Sequence, residues 1–282
     1  MIDETIAEIR EMQTHSSSVV ALKATRALSE LIDREFATVD EFDRAVQQNA
    51  GALRRANPSH ASLHNAMHEI IREVPGEADT VEQAKELLRT TIDAVVTEIE
   101  TGKRRAAENA ARVFREADVV MTHDYSSTVL DAIRAAVDDG ASFDAYVTEA
   151  RPRYLGRKTA RELATMDAVE PHLLVDGAAS LFMDDCDRIV LGMDCIVGDT
   201  FYNRVGTYPL VATAHQKGVP VTVVGSGTKV IEDGFRFENE LRPPYEVSLE
   251  PIEGVQLENP AYDATPVDLV DEVITDEGPQ EL

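Results

Sequence analysis

The chain has 282 residues, 43% of them hydrophobic, and carries 52 acidic against 27 basic side chains, a formal net charge of −25 at pH 7. Phosphate contacts need a basic surface, so this balance argues against direct nucleic-acid binding. No run of 18 apolar residues occurs, and Met1-Ile2-Asp3-Glu4 has neither the basic nor the apolar region of a signal peptide, so a cytoplasmic protein without a membrane span is expected. The acids are spread over every segment, as in surfaces kept soluble by concentrated salt, and a halophilic source is the expectation.

Up to about residue 105 the apolar positions follow a helical period: Ile2, Ile6, Ile9 and Met12, then residues 19–32, 42–53, 63–71 and 80–99. Ser16-Ser17-Ser18 reads as an N-cap cluster, Asn57-Pro58-Ser59 as a helix start and Val74-Pro75-Gly76 as a stop. The polar stretch Thr101-Gly102-Lys103-Arg104-Arg105 marks the junction, which gives an all-helical domain over residues 1–110 and a second domain over 111–282.

From residue 117 the rhythm is β-α-β. Strands are predicted at 118–121, 143–147 and 173–175, with helices at 128–137, 159–166 and 178–182. The apolar runs at 188–191 and 220–224 complete about five parallel strands in a Rossmann-like, doubly wound α/β domain. The tail after Arg236 is acidic, proline-rich and weakly periodic. Cys186 and Cys195 flank the strand at 188–191 without metal-ligand spacing and read as buried structural thiols.

Open α/β sheets bind ligands at the carboxyl ends of their strands, and the strand at 188–191 delivers Asp194 there. Gly206-Thr207 opens an amphipathic helix whose free N–H groups suit an anion, and the next strand feeds Lys229 towards the same edge. No Gly-x-Gly-x-x-Gly follows the first strand at Thr122-His123-Asp124, so no dinucleotide is expected and no cofactor is assigned. His60, His64 and His68 share a helix face but have no Cys, Asp or Glu at ligand spacing, so no metal is assigned and they are read as structural.

Five segments run in order between residues 148 and 266: Thr148-Glu149-Ala150-Arg151-Pro152-Arg153-Tyr154-Leu155-Gly156, Gly192-Met193-Asp194-Cys195, Asn203-Arg204-Val205-Gly206-Thr207-Tyr208, Gly225-Ser226-Gly227-Thr228-Lys229 and Asn259-Pro260-Ala261-Tyr262-Asp263-Ala264-Thr265-Pro266. Together they resemble the initiation-factor-2B alpha/beta/delta family, which also contains ribose-1,5-bisphosphate and methylthioribose-1-phosphate isomerases. The resemblance implies that Asp194 stands at the catalytic aspartate of the isomerases. It also implies that Arg151, Asn203, Arg204 (in place of the usual lysine) and Lys229 are phosphate-type ligand groups.

Two departures qualify it. Asp124, within Met121-Thr122-His123-Asp124-Tyr125-Ser126-Ser127, stands where the isomerases place a cysteine; the bland reading is that Asp124 and Ser126 cap the next helix. His15-Ser16-Ser17 replaces Arg-Gly-Ala, leaving Ser16 and Ser17 to offer hydroxyls and N–H groups to an anion. The departures set the main expectation, a non-catalytic initiation factor 2B-like subunit. Such a subunit would form a homodimer or larger symmetric assembly through its α/β half, and bind a translation initiation factor 2 subunit and a phosphorylated small molecule. The alternative is an aldose–ketose sugar-phosphate isomerase without redox cofactor, with Asp194 and Asp124 as its catalytic carboxyls.

Overall fold

Apolar stripes at helical spacing pair the N-terminal helices, and continuous β-branched runs build the sheet that follows. The computed structural model describes residues 2–11, 17–231, 235–250 and 252–280, and its contacts divide the chain into two compact units, Met1–Gly102 and Lys103–Leu282. The first unit contains α1 (Ile2–Glu11), α2 (Ser17–Ala27), α3 (Glu30–Asp33), α4 (Val39–Ala56), α5 (Ala61–Glu73) and the opening turns of α6 (Val81–Arg115). In α4 the Thr38 hydroxyl accepts from Glu41 N at 3.2 Å, acids occupy the first turn and Arg54 and Arg55 the last, so cap and dipole agree. Phe42, Val46, Ala50 and Leu53 on its inner face meet Leu63, Met67 and Ile70 of α5 in one core.

Three helix expectations are corrected here. Residues 19–32 are broken after Ala27 rather than continuous. α5 begins at Ala61, beyond Pro58, with His60 at the cap position. The helix read at 80–99 runs on to Arg115 as α6, which spans 35 residues: an interior glycine such as Gly102 costs only about 1 kcal/mol against alanine, too little to end a helix of this length. The division at 102/103 therefore falls within a continuous helix, ahead of the 110/111 boundary read from the sequence.

The second unit carries β1 (Val119–His123), α7 (Ser127–Asp138), β2 (Phe143–Thr148), α8 (Gly156–Leu163), β3 (Val169–Leu174), α9 (Ala179–Phe182), β4 (Arg188–Gly192), β5 (Cys195–Val197), β6 (Thr200–Arg204), α10 (Thr207–Lys217), β7 (Val221–Val224), β8 (Val230–Ile231), β9 (Tyr262–Pro266), β10 (Glu272–Thr275) and β11 (Gly278–Gln280). Seven strands form one sheet in the order β11-β10-β7-β4-β1-β2-β3, parallel except for β11. Side chains alternate between its faces: Met121, Ile189, Leu191, Val221 and Val223 pack with α10, whereas Val120, Val190 and Val224 pack with α7 and Phe114. The strand order reverses between β1 and β4, so the loops that carry Asp124 and Asp194 leave the two strands flanking the switch point, where ligands of open α/β sheets bind.

The sheet exceeds the five strands read from the sequence, because the acidic tail supplies β10 and β11. A second sheet, β8-β5-β6-β9, was not anticipated. Its strands are 2 to 5 residues long, and β9 finds its partner β6 only across a long stretch of chain, so no local alternation announces them.

Candidate active site

Asp124 follows the last residue of β1 with φ +63°, a left-handed conformation that aspartate tolerates better than most residues. The Thr159 hydroxyl donates to its carbonyl at 2.7 Å, and the residue is 5% exposed. Of the two candidate cap residues, Ser126 does the capping, accepting from Val129 N at 3.3 Å, while the Asp124 carboxylate faces Arg204. The loops leaving β1 and β4 touch so closely that a Cβ on Gly192 would lie 2.4 Å from Ser126 Oγ.

Arg204, the last residue of β6, joins the two carboxylates: its Nε lies 3.4 Å from Asp124 Oδ2 and 3.7 Å from Asp194 Oδ2. Its guanidinium lies 4.8 Å from the ring centre of Tyr262, its partner across the β6–β9 ladder. Burial pushes the Asp124 carboxyl above its ordinary range, Arg204 and His123 oppose the rise, and the charge of Asp194 adds to it. A raised folded-state value means that folded Asp124 keeps its proton to higher pH than unfolded Asp124. Stability from this source is thus highest at acid pH and falls as pH climbs out of the usual carboxylate range. Asp124→Asn removes that fall, so in urea titrations the variant is expected to gain on the wild type between pH 5 and pH 8. An equal difference at both pH values would refute this.

The other predicted ligand groups divide. Arg151 is exposed, with Nη2 donating to Val247 O at 3.0 Å. It lines one cleft with Arg153, Arg204, Arg242 and Asp124. Asn203 is buried with Nδ2 on Thr207 Oγ1 at 3.0 Å, and the buried Lys229 donates from Nζ to Met193 O at 2.7 Å, fastening the loop that carries Asp194. The anion expected at the start of α10 is the protein's own: Asp263 Oδ2 accepts from Gly206 N at 2.7 Å and Tyr208 N at 3.0 Å. Ser17 is buried in α2, its hydroxyl without a hydrogen-bond partner among the described residues, and Ser16 lies outside those residues.

Sequence reasoning passed over several neighbours of the site. Arg153 pairs with Glu246 at 2.6 Å, and the largely buried Arg242 stands 5.8 Å from the Tyr262 ring centre. Burial and the guanidinium groups of Arg204 and Arg153 all pull Arg242 below its ordinary value. His123 Nε2 is 2.9 Å from Val205 O and Nδ1 is 2.6 Å from Thr148 Oγ1. A carbonyl only accepts, so Nε2 carries a proton. Cys186 and Cys195 are buried and free, with burial pushing the Cys186 thiol up to about 12 and Cys195 also upward, as befits inert thiols. Among the described residues no group of three His, Cys, Asp or Glu side chains is placed to hold a metal ion, and no helix is long and apolar enough to cross a membrane.

The profile of the initiation factor 2 subunit family matches residues 13–281. The chain belongs to that family. Within the initiation factor 2 subunit family it is similar to a ribose 1,5-bisphosphate isomerase of Haloterrigena turkmenica, at 34% identity over 97% of this chain and 88% of the relative. Among solved structures, the translation initiation factor eIF-2B of Pyrococcus horikoshii superimposes with a TM-score of 0.82 at 25% identity, covering 99% of this chain and 96% of the other. The 5-methylthioribose 1-phosphate isomerase of the same organism shares the fold, with a TM-score of 0.81 at 23% identity over 99% of this chain and 84% of its own. The family thus joins proteins named for isomerisation with proteins named for translation initiation.

Proposed function

We propose that the protein is an aldose–ketose sugar-phosphate isomerase of the ribose 1,5-bisphosphate type, working at the switch point of the sheet. The observation that carries this reading is the pairing of two largely buried carboxyls, Asp124 and Asp194, with a cleft to which four arginines contribute. Guanidinium groups gathered around one cleft suit a phosphate ester, whose oxygens match their fork geometry. The relatives named ribose 1,5-bisphosphate isomerase support the same substrate class.

The conversion needs no oxidant. The bond from C1 to the ring oxygen breaks as that oxygen gains a proton, the C2 hydroxyl loses one to become a carbonyl, and the hydrogen of C2 ends on C1. Asp124, whose carboxyl burial pushes above its ordinary range, is suited to give a proton. Asp194, aligned by Arg204 and by the Lys229 anchor on Met193, takes one.

The second reading, a non-catalytic subunit binding a translation-factor partner, is favoured by Asp124 in the thiol's place. Association of two copies through the α/β unit belongs to both readings. Leu173, Val175 and Leu181, exposed by 48%, 60% and 77%, supply that unit with apolar surface. The deciding experiment is turnover of ribose 1,5-bisphosphate in molar potassium chloride. Activity that falls about 10³-fold in Asp194→Asn is expected, and binding without turnover in the wild type would favour the non-catalytic reading.

A further inference from the structure

Tyr262 is 2% exposed, and its hydroxyl has no hydrogen-bond partner among the described residues. Leaving a buried hydroxyl unsatisfied is costly, and native structures seldom keep one without a reason. The residue is held at its backbone and at its ring. Its backbone is held twice by Asn239, whose Oδ1 accepts from Tyr262 N at 3.2 Å and whose Nδ2 donates to Tyr262 O at 2.8 Å. The ring is also braced edge-on by Phe237 at 5.2 Å, which in turn stacks on Tyr202 at 4.0 Å.

A second orphan lies in the same place. Arg204 spends its Nε between the two carboxylates, but its buried Nη1 has no hydrogen-bond partner among the described residues. Both unsatisfied atoms are donors on directly opposed residues of β6 and β9. Burial pushes the phenol up to about 12, with Asp194 adding to the rise and Arg204 opposing it, so at neutral pH the hydroxyl still has its proton to give. What is missing is an acceptor oxygen.

We propose that the Tyr262 hydroxyl donates a hydrogen bond to the sugar oxygen at the reacting carbons of the ligand, sharing that oxygen's recognition with Arg204 Nη1. This rests on the sugar-phosphate reading of the site. On that reading a phosphate group sits in the cleft at Arg151, Arg153 and Arg242, which Arg204 and Asp124 also line. Tyr262 is one guanidinium away from Asp124 and Asp194, where the oxygen that gains negative charge during isomerisation must sit. A fixed, neutral, buried donor serves such an oxygen well.

The test is Tyr262→Phe, which keeps the ring and removes one oxygen atom. Calorimetry in molar salt compares wild type and variant for ribose 1,5-bisphosphate and, separately, for inorganic phosphate. Affinity for the bisphosphate is expected to fall about tenfold or more, with phosphate affinity unchanged and with the ligand-free variant melting no lower than the wild type. A packing role alone would instead lower the melting temperature and leave both affinities alone, which would overturn the inference, as would equal loss for both ligands. If the wild type binds neither compound, the sugar-phosphate reading fails and this inference fails with it. If the wild type binds and the variant binds equally well, only the role of Tyr262 is lost.

Discussion

Replacing Arg204 by methionine is expected to lower the unfolding free energy at pH 8 by about 3–5 kcal/mol, the range for removing one partner of a buried ion pair. The side chain is 13% exposed and faces Asp124 and Asp194, themselves 7% and 14% exposed. Methionine fills much of the same space, so the loss would come from removing the cation that lies between the two carboxylates. That origin gives the effect a pH signature. As pH falls, the two carboxyls take up protons and the penalty shrinks, so urea titrations should show a smaller difference at pH 5 than at pH 8. A pH-independent loss would mean that Arg204 matters for packing and not for charge.

Gly156→Ala should be the most disruptive small substitution in the α/β unit. A Cβ at this position would stand 1.9 Å from Thr148 O and 2.9 Å from Thr148 C, both backbone atoms that cannot turn aside. The first turn of α8 sits directly on the end of β2, and Gly156 N donates to Glu149 O at 3.2 Å. Between them runs the loop that presents Arg151 and Arg153, with Ala150 and Tyr154 both at φ +58°. Making room would cost about 3 kcal/mol, at the upper end for overpacking. Displacing the two arginines by about 1 Å would weaken the proposed turnover on the order of 10²-fold. Gly177 is the control, since a Cβ there meets nothing within 4 Å and alanine should change stability by no more than about 0.5 kcal/mol.

The parts of the fold that the sequence announces are those whose information is local. The strands β1, β2, β4 and β7 are short apolar runs, and α7 and α10 carry helical stripes between them, so their order and the placement of Asp194 follow without any long-range knowledge. The parts it conceals are made at a distance. Arg153 meets Glu246 across 93 positions and Asp263 reaches Gly206 across 57, and both acids lie in a tail whose composition resembles that of a linker. The same limit explains Arg204. Its charge is visible in the sequence, but its position between two carboxylates exists only once β6 has been placed beside the loops that leave β1 and β4. Asn203 and Lys229 show the converse: polar residues with ligand chemistry whose visible bonds go to Thr207 and to a backbone carbonyl.

The lateral position of β10 also has a meaning for the protein's birth. It lies parallel to β7, while β9 closes the small sheet against β6. Until residues 262–275 leave the ribosome, a nascent chain therefore has β7 as an unprotected sheet border and lacks Tyr262 and Asp263. Such a border is open to mispairing with other chains. Residues 262–275 thus both cover the border of β7 and bring Tyr262 and Asp263 to the candidate site, so that site and sheet are completed by the same stretch of chain.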